Sequence, residues 1–573
     1  MISKKILWLG LLISLMGCQK SQPILSSAQT PNFLIILADD LGYTDIGYFG
    51  SEISTPNIDD LANNGLVLTN YYSAPLCAAT RAELMSGTDH HIAGEGLMDV
   101  NVDGYDGYAG RLNDKVVSLA TRLQGNGYNT FMTGKWHIGR NAGQRPASRG
   151  FDQSYIMTPG GSMHFAEGVD GLMRMGKVYF DNDQVVNELP EDFYSTDFFT
   201  DKMIEYIDGE RDSGKPFFAY LAYTAPHWPL QAHDEDIAAQ KGRYDDGYGV
   251  LREKRFQAWK DIGMGKASDE LPNLPDDYTA WEDLSEDEKA ISRRTMETYA
   301  AMVEHLDRGI GQVLDYLRET GQLDNTVVIF QSDNGAEASP GYAVLGQGAD
   351  NSLENIGRVG SFVFLKQGWA EAGSAPFRQN KTYTTEGGVR VPAMVYGPKL
   401  GIAARRDDAV IMTYDIAPTL LDLAGISYDD TAEGKLPITG RSFVELLKGQ
   451  EFTQRRGPND VIGREHAGHG AIRKGDWKLT WENKERFWTG RLPKEGEPWA
   501  NSGDPIAVDR LNPGSPAGDP IGEGGPWRLF NLANDPAEKY DLAEREPEKF
   551  AEMMQEWANY VETHQIVVKS GQP

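Results

Sequence analysis

Short apolar runs alternate along the chain with segments in which apolar residues recur at helical spacing. Asn32–Ala38 is apolar almost throughout, as expected of a strand buried on both faces, and residues 290–319 form a long amphipathic helix. The other predicted strands are 66–72, 128–133, 216–223, 326–331 and 392–396, and the other predicted helices start at Pro56 or cover 116–124, 197–207 and 414–424. This alternation predicts an α/β fold with a large mixed, mainly parallel sheet sandwiched by helices.

The pattern changes after about residue 456. Strand candidates at 477–481 and 527–531 and a final helix at 547–563 predict a smaller C-terminal α+β subdomain with a short antiparallel sheet. We therefore divide the body into a large domain, residues 31–455, and a C-terminal subdomain, residues 456–573. Residues 141–195 are rich in Gly and Asp, so they are expected to form an excursion from the regular elements.

The charge balance restricts the partners of the protein. Its 573 residues include 84 acidic and 55 basic side chains, which gives a net charge of −29. A nucleic-acid binder needs a basic face, so this class of partner is not expected, and any anion site must be locally basic. Only two cysteines are present, which excludes a disulfide framework and a thiolate zinc cluster.

The N-terminus has the pattern of an export signal. Lys4 and Lys5 precede an apolar run that is too short for a stable membrane span and ends in the sequence LMGC at Cys18. This ending resembles the bacterial lipobox, which implies a signal peptide over residues 1–17, lipidation of Cys18, and a polar tether over 18–30. We expect an exported lipoprotein of the outer membrane, on its periplasmic face or at the cell surface, held to the membrane by its lipid alone. The alternative is an ordinary signal peptide with an incidental cysteine.

Two pairs of side chains with oxygen ligands follow predicted strands. Asp39 and Asp40 come after the first strand, and Asp333 and Asn334 follow another. Ligands of such sheets bind at the carboxyl ends of the strands, so the two pairs could meet at one edge. They offer only oxygen ligands, which suit calcium or magnesium. Taken singly, each pair could instead cap a helix or form a turn.

The second cysteine precedes a predicted helix. Cys77 is followed one turn later by Arg81. A helix N-terminus favours an anion, and a guanidinium fits tetrahedral oxygens. Taken alone, Cys77 could equally be a small buried residue at a helix start.

The segment from Cys77 to Gly87, CAATRAELMSG, resembles the signature of formylglycine-dependent (type I) sulfatases, in the alkaline-phosphatase superfamily. In that family a maturase oxidises the cysteine to formylglycine. The more familiar signature has proline where Ala79 stands, and alanine resembles variants served by radical-type, oxygen-independent maturases. Five more segments match the family in order, most closely bacterial arylsulfatases; they contain Asp39-Asp40, Lys135 with His137, His227, Asp333-Asn334, and Lys381.

The resemblance implies a sulfate-ester hydrolase whose catalytic domain is residues 31–455. It implies calcium, with magnesium less favoured, held by Asp39, Asp40, residue 77, Asp333 and Asn334. It further implies catalytic roles for Cys77, Arg81, Lys135, His137, His227 and Lys381. His227, with Lys381, would protonate the departing alcohol, and His137 would accept a proton as sulfate leaves. The substrate would be an aryl sulfate or a sulfated carbohydrate.

Two other functions stay open alongside this one. The same scaffold could hydrolyse phosphoesters or phosphonate monoesters, or the chain could be an inactive, surface glycan-binding lipoprotein. Five further histidines could support the site, touch substrate, line its rim, or simply pack; they are His90, His91, His164, His466 and His469.

Overall fold

A computed structural model describes residues 30–166, 178–275, 278–338, 348–428, 434–482 and 526–567. The proposed signal peptide, Cys18 and nearly all of the tether lie outside the described residues. None of the helices in these ranges combines the length and the apolar character needed to span a bilayer.

A ten-stranded sheet organises the large domain, in the order β10-β2-β9-β8-β1-β7-β3-β4-β5-β6. Its strands are β1 (Asn32–Ala38), β2 (Leu66–Tyr72), β3 (Asn129–Lys135), β4 (Gln153–Met157), β5 (Tyr179–Asp181), β6 (Gln184–Val185), β7 (Phe217–Ala222), β8 (Thr326–Ser332), β9 (Ala393–Tyr396) and β10 (Arg405–Met412). The central strand β1 runs parallel to both β7 and β8, whereas β9, β5 and β6 pair antiparallel with their neighbours. The predicted mixed, mainly parallel sheet is therefore confirmed.

Helices cover both faces of this sheet. The described helices are α1 (Pro56–Asn64), α2 (Cys77–Ser86), α3 (His90–Ala93), α4 (Leu119–Gly125), α5 (Ser195–Gly209), α6 (Asp234–Ala239), α7 (Gly247–Asp261), α8 (Glu286–Glu319), α9 (Gln367–Gly373), α10 (Glu386–Val389), α11 (Ile416–Ala424), α12 (Val444–Leu447) and α13 (Pro547–His564). Alternate residues of β1 enter two separate cores, one shared with α1, α5, α7 and α8 and the other with α2, α4 and α11. Helix α8 begins at Glu286, slightly before the predicted start, because Ser285 and Glu288 form a capping box.

The prediction that residues 141–195 form an excursion from the regular elements is wrong in part. This segment supplies β4, β5 and β6 of the main sheet. These strands are only five, three and two residues long, so none carries a long apolar run. Strand β10 was also not predicted. It lies at an edge of the sheet, and its first half alternates between exposed and partly buried polar residues.

The C-terminal region forms its own antiparallel sheet, as predicted. The strands are β11 (Val461–His466), β12 (His469–Lys474), β13 (Trp477–Trp481) and β14 (Arg528–Asn531), paired in sequence order. Helix α13 packs on this sheet by burying Met553 and Trp557 against Ile472 and Leu479. The first hairpin, β11–β12, was not recognised in the sequence.

Candidate active site

The two pairs, Asp39-Asp40 and Asp333-Asn334, meet at one edge of the main sheet. Strands β1 and β8 are adjacent and parallel, and their register places Ala38 beside Ser332. The chain therefore delivers Asp39 and Asp333 side by side, and the Asp333 amide donates to the carbonyl of Ala38 at 3.1 Å. The amide of Asp40 donates in turn to Asp333 Oδ1 at 3.2 Å. Asp39, Asp40, Asp333 and Asn334 are all fully buried.

A buried cation accompanies each of the three carboxylates. Lys135, at the end of β3, donates from Nζ to both Asp39 oxygens, at 2.9 and 2.7 Å. Arg81 donates from Nε and Nη2 to Asp333 Oδ2, at 3.1 and 2.8 Å. Its Nη1 also donates to the carbonyl of Lys135 at 2.6 Å, which ties the two cations together.

The third cation, Lys381, contacts the remaining carboxylate, Asp40. Lys381 Nζ donates to Asp40 Oδ2 at 2.8 Å and lies 3.0 Å from Glu337 Oε2. Burial disfavours its charge, but Asp40 and Glu337 hold the pKa of Lys381 well above its ordinary value. This side chain therefore enters any reaction carrying a proton. Glu337 was not singled out in the sequence, although it follows Asn334 closely.

The oxygen-rich cluster fits a hard divalent cation. Asn334 donates from Nδ2 to Asp40 Oδ1 at 2.7 Å, whereas its buried Oδ1 has no hydrogen-bond partner among the described residues. Burial and then the neighbouring Asp333 raise the pKa of Asp39 well above its ordinary value, which indicates crowded negative charge. A ligand atom from each of Asp39, Cys77 and Asp333 lies within 4.8 Å of the other two. A calcium or magnesium ion would use the orphan oxygen and offset the repulsion.

Cys77 is the first residue of α2 and is only 2 % exposed. Leu76 at the N-cap has no polar side chain with which to cap the helix, so the first amides remain available to an anion. Thr80 Oγ1 donates to the carbonyl of Asp333 at 2.6 Å and fixes α2 against the loop after β8. The helix thus places residue 77 and Arg81 on the carboxylate cluster.

His227 reaches the same cluster from the loop after β7. Its Nδ1 lies 2.6 Å from the carbonyl of Trp228, which can only accept, so Nδ1 carries the proton. Its Nε2 lies 3.5 Å from Asp40 Oδ2, the oxygen that Lys381 also contacts. Burial, Lys381 and Lys135 hold the pKa of His227 well below its ordinary value, so the imidazole is neutral.

His137 follows Lys135 at the end of β3. It is buried, and its Nε2 lies 3.3 Å from Asp99 Oδ2. Burial lowers the pKa of His137 to about 4, although Asp99 acts in the opposite direction. His137 is therefore a neutral base near neutral pH. No sequence motif pointed to Asp99, which comes from a loop between α3 and α4.

The five further histidines singled out in the sequence are all buried. The nitrogens of His90 lie 2.9 Å from Glu83 Oε1 and from the Glu465 carbonyl, so this ring packs between α2 and β11. His164 contacts Ser195 Oγ at 2.7 Å and the carbonyl of His227 at 3.0 Å, which supports the backbone that carries His227. His91 lies between Asp89 and Glu465, and His466 and His469 are fully buried in and around the small sheet.

Known proteins resemble this chain over most of its length. The sequence model of the Sulfatase family matches residues 31–426, which is most of the chain. The chain belongs to the sulfatase family. An uncharacterized sulfatase of Schizosaccharomyces pombe is 38% identical over 562 residues, covering 93% of this chain and 94% of that protein. An arylsulfatase of Klebsiella aerogenes is 37% identical over 440 residues, covering 75% of this chain and 94% of the relative.

Solved structures show the same likeness in three dimensions. The crystal structure of Ps i-CgsB in complex with k-i-k-neocarrahexaose matches this sulfatase with a TM-score of 0.63 and 25% identity, covering 94% of each chain. The predicted family is confirmed, and its relatives include a bacterial arylsulfatase. The predicted enzyme class is confirmed as well. This sulfatase is a sulfuric ester hydrolase.

Proposed function

We propose that this sulfatase uses a formylglycine made from Cys77, together with calcium, to release inorganic sulfate from an aryl sulfate or a sulfated carbohydrate. The observation that carries the proposal is the position of Cys77. It starts α2, and its sulfur lies among carboxylate oxygens of Asp39 and Asp333, with all three ligand atoms within 4.8 Å of one another. An oxidised residue 77 would therefore meet the metal ligands and the helix amides together.

Formylglycine and calcium would make distinct chemical contributions. Hydrated formylglycine would supply an oxygen nucleophile, and calcium would supply positive charge. Asp39, Asp40, Asp333, Asn334 and residue 77 would hold the ion. Calcium is proposed over magnesium because four clustered side chains and residue 77 suit a larger, flexible coordination shell.

The remaining residues stabilise charge and move protons. Arg81 and Lys135 hold Asp333 and Asp39 in place and add positive charge next to residue 77. Lys381 carries a proton, and neutral His227 shares Asp40 Oδ2 with it, so this pair would deliver a proton to the departing alcohol oxygen. His137 would accept a proton at Nδ1 as sulfate is released.

The substrate class is proposed from two relatives that point in different directions. The relative from Klebsiella aerogenes is an arylsulfatase, which supports a small aryl ester. Ps i-CgsB was solved with a neocarrahexaose, which supports a carbohydrate. We also propose that a maturase of the radical, oxygen-independent type modifies Cys77, and that the enzyme is an exported lipoprotein anchored through Cys18.

Mass analysis of the peptide containing Cys77, from protein made in its native host, tests the proposal. The expected peptide has the thiol sulfur replaced by an aldehyde oxygen. In parallel, 4-nitrophenyl sulfate and 4-nitrophenyl phosphate are compared as substrates, and Cys77→Ala serves as the matched inactive variant. An unmodified Cys77 in an enzyme with full turnover, or a much faster phosphate rate, would refute the proposal.

A further inference from the structure

His137 has an acidic partner that neither its motif nor the proposed reaction uses. Asp99 lies 38 positions before it in the chain, and its Oδ2 is 3.3 Å from His137 Nε2. Asp99 is only 8 % exposed and His137 only 1 %. A carboxylate can only accept, so Nε2 carries the imidazole proton. The other nitrogen, Nδ1, is then bare, and it is buried without a hydrogen-bond partner among the described residues.

The backbone conformations of Asp99 and His137 support a contact that the fold enforces. Asp99 has a φ of 58° and His137 a φ of 59°, both in the left-handed region that residues other than glycine rarely adopt. Such conformations persist where the surrounding structure fixes them, and they concentrate at functional sites. Two touching side chains that both depend on this conformation indicate that their meeting is enforced by the fold.

The charges around the pair keep Asp99 ionised. Burial disfavours its charge, but Arg140 and then His137 bring the pKa of Asp99 to about 2. Arg140 Nη2 lies 3.2 Å from the same Oδ2 and fixes the carboxylate. Other charged or titratable groups near the pair are the cations Lys135, Arg81 and Arg111, together with His227. Glu95 is a further neighbour, and burial and Asp99 raise its pKa well above its ordinary value.

We propose that Asp99 is a positioning residue that fixes the Nε2–H tautomer of His137 and thereby leaves Nδ1 as the proton acceptor. The inference rests on the proposed role of His137 in the sulfatase reaction. A carboxylate on one imidazole nitrogen sets which nitrogen is basic and holds the ring in one orientation. Without Asp99, the proton would distribute over both nitrogens and the ring would lose its anchor.

Asp99 also borders open space, which suggests a competing role. With Arg140 it lines a cavity of about 210 Å³ whose other polar side chains come from Asn101, Arg111, Asn141 and Gln144. A substrate could therefore contact Asp99 directly. The two roles predict different kinetics, because a substrate contact acts on binding whereas a positioning residue acts on the proton transfer that follows.

The first test reads the tautomer in protein whose Cys77 is unmodified, so it needs no activity. Nitrogen-15 NMR of histidine-labelled protein should show His137 with a protonated Nε2 and a bare Nδ1; His137→Asn assigns the signals. In Asp99→Asn the Nδ1–H form should become populated, whereas the exposed control Asp103→Asn should match the parent. An unchanged Nε2–H tautomer in Asp99→Asn would overturn the proposal.

The second test uses 4-nitrophenyl sulfate and the modified enzyme. Asp99→Asn should lower kcat by about 10²-fold or more, in the range of general-base catalysis, with KM within about twofold of the parent. Asp99→Glu should recover part of kcat. Because Asp99 raises the pKa of His137, the acidic limb of the kcat profile should move to lower pH in Asp99→Asn.

The kinetic outcomes separate the proposals. A raised KM with unchanged kcat in Asp99→Asn would overturn the positioning role and identify a substrate contact. A parent enzyme that carries formylglycine but does not turn over sulfate esters would sink the proposed function. The tautomer measurement still tests Asp99 in that case.

Discussion

His91 links the catalytic domain to the small C-terminal sheet through a buried ion pair that depends on pH. It lies on α3 and is 2 % exposed. Its Nδ1 is 3.2 Å from Asp89 Oδ1, and its Nε2 is 3.0 Å from Glu465 Oε2 on β11. Tyr560 of α13 also reaches Asp89, at 3.2 Å. Deprotonating His91 would remove the positive charge between two buried carboxylates and leave one of them facing a ring nitrogen without a proton.

The size of the His91 contribution to the free energy of unfolding follows from the shift in the pKa of His91. Burial opposes its charge, but hydrogen bonds to Asp89 and Glu465 raise its pKa to about 9, from the ordinary 6.5. A pKa that is raised in the folded state stabilises the protein fully below pH 6.5, and this contribution is lost as pH rises to about 9. At about 1.4 kcal/mol for each pH unit, the loss is about 3 kcal/mol.

Urea unfolding at pH 6, 7, 8 and 9, compared between the parent and His91→Gln, measures this contribution. The difference in unfolding free energy should shrink by about 3 kcal/mol between the lowest and the highest pH. His164→Gln is the matched control between pH 7 and pH 9, because burial lowers the pKa of His164 to about 4 and this ring is mostly neutral there in both the folded and the unfolded state. A difference that stays constant with pH would refute the raised pKa of His91 in the folded protein.

Three further outcomes test the site. Arg81→Lys keeps the charge but loses the two-nitrogen contact with Asp333, so kcat/KM for 4-nitrophenyl sulfate should fall by about 10²-fold without unfolding the protein. Chelation with EGTA should lower Tm, and calcium should restore it more fully than magnesium does. In Gly335→Ala the new Cβ would lie 1.9 Å from the carbonyl of Gly387, so the displaced loop should cost about 2 kcal/mol in urea unfolding and weaken calcium binding.

The sequence predicted the centre of the fold well because its strands are buried on both faces. Strands β1 and β8 read as continuous apolar runs, and acidic residues directly follow both. Parallel strands share a carboxyl edge, so the convergence of Asp39 and Asp333 could be anticipated. The short strand β4 and the half-exposed edge strand β10 lack this signal, since their hydrogen bonds rather than their composition define them.

The residues of the site could be predicted only where they belong to a recognisable sequence motif. The family resemblance pointed to Lys135, His137 and Lys381, and the fold brings Lys135 and Lys381 onto the carboxylates. Asp99 and Glu337 were missed because their contacts depend on loop conformation. A positive φ at Asp99, or its distance from His137, has no counterpart in the amino-acid pattern.

The charges at the site explain why this acidic chain needs a metal ion to bind an anion. Asp39, Asp40 and Asp333 are matched by Lys135, Lys381 and Arg81, so the formal charges of the six side chains cancel. Glu337 makes the local balance negative, and the whole chain carries −29. The cations are already engaged with carboxylates and cannot by themselves attract a sulfate ester. A divalent ion among the carboxylates would make the local net charge positive. It would also weaken the ion pair between each carboxylate and its cation. Loss of the divalent ion should therefore impair substrate binding as well as turnover.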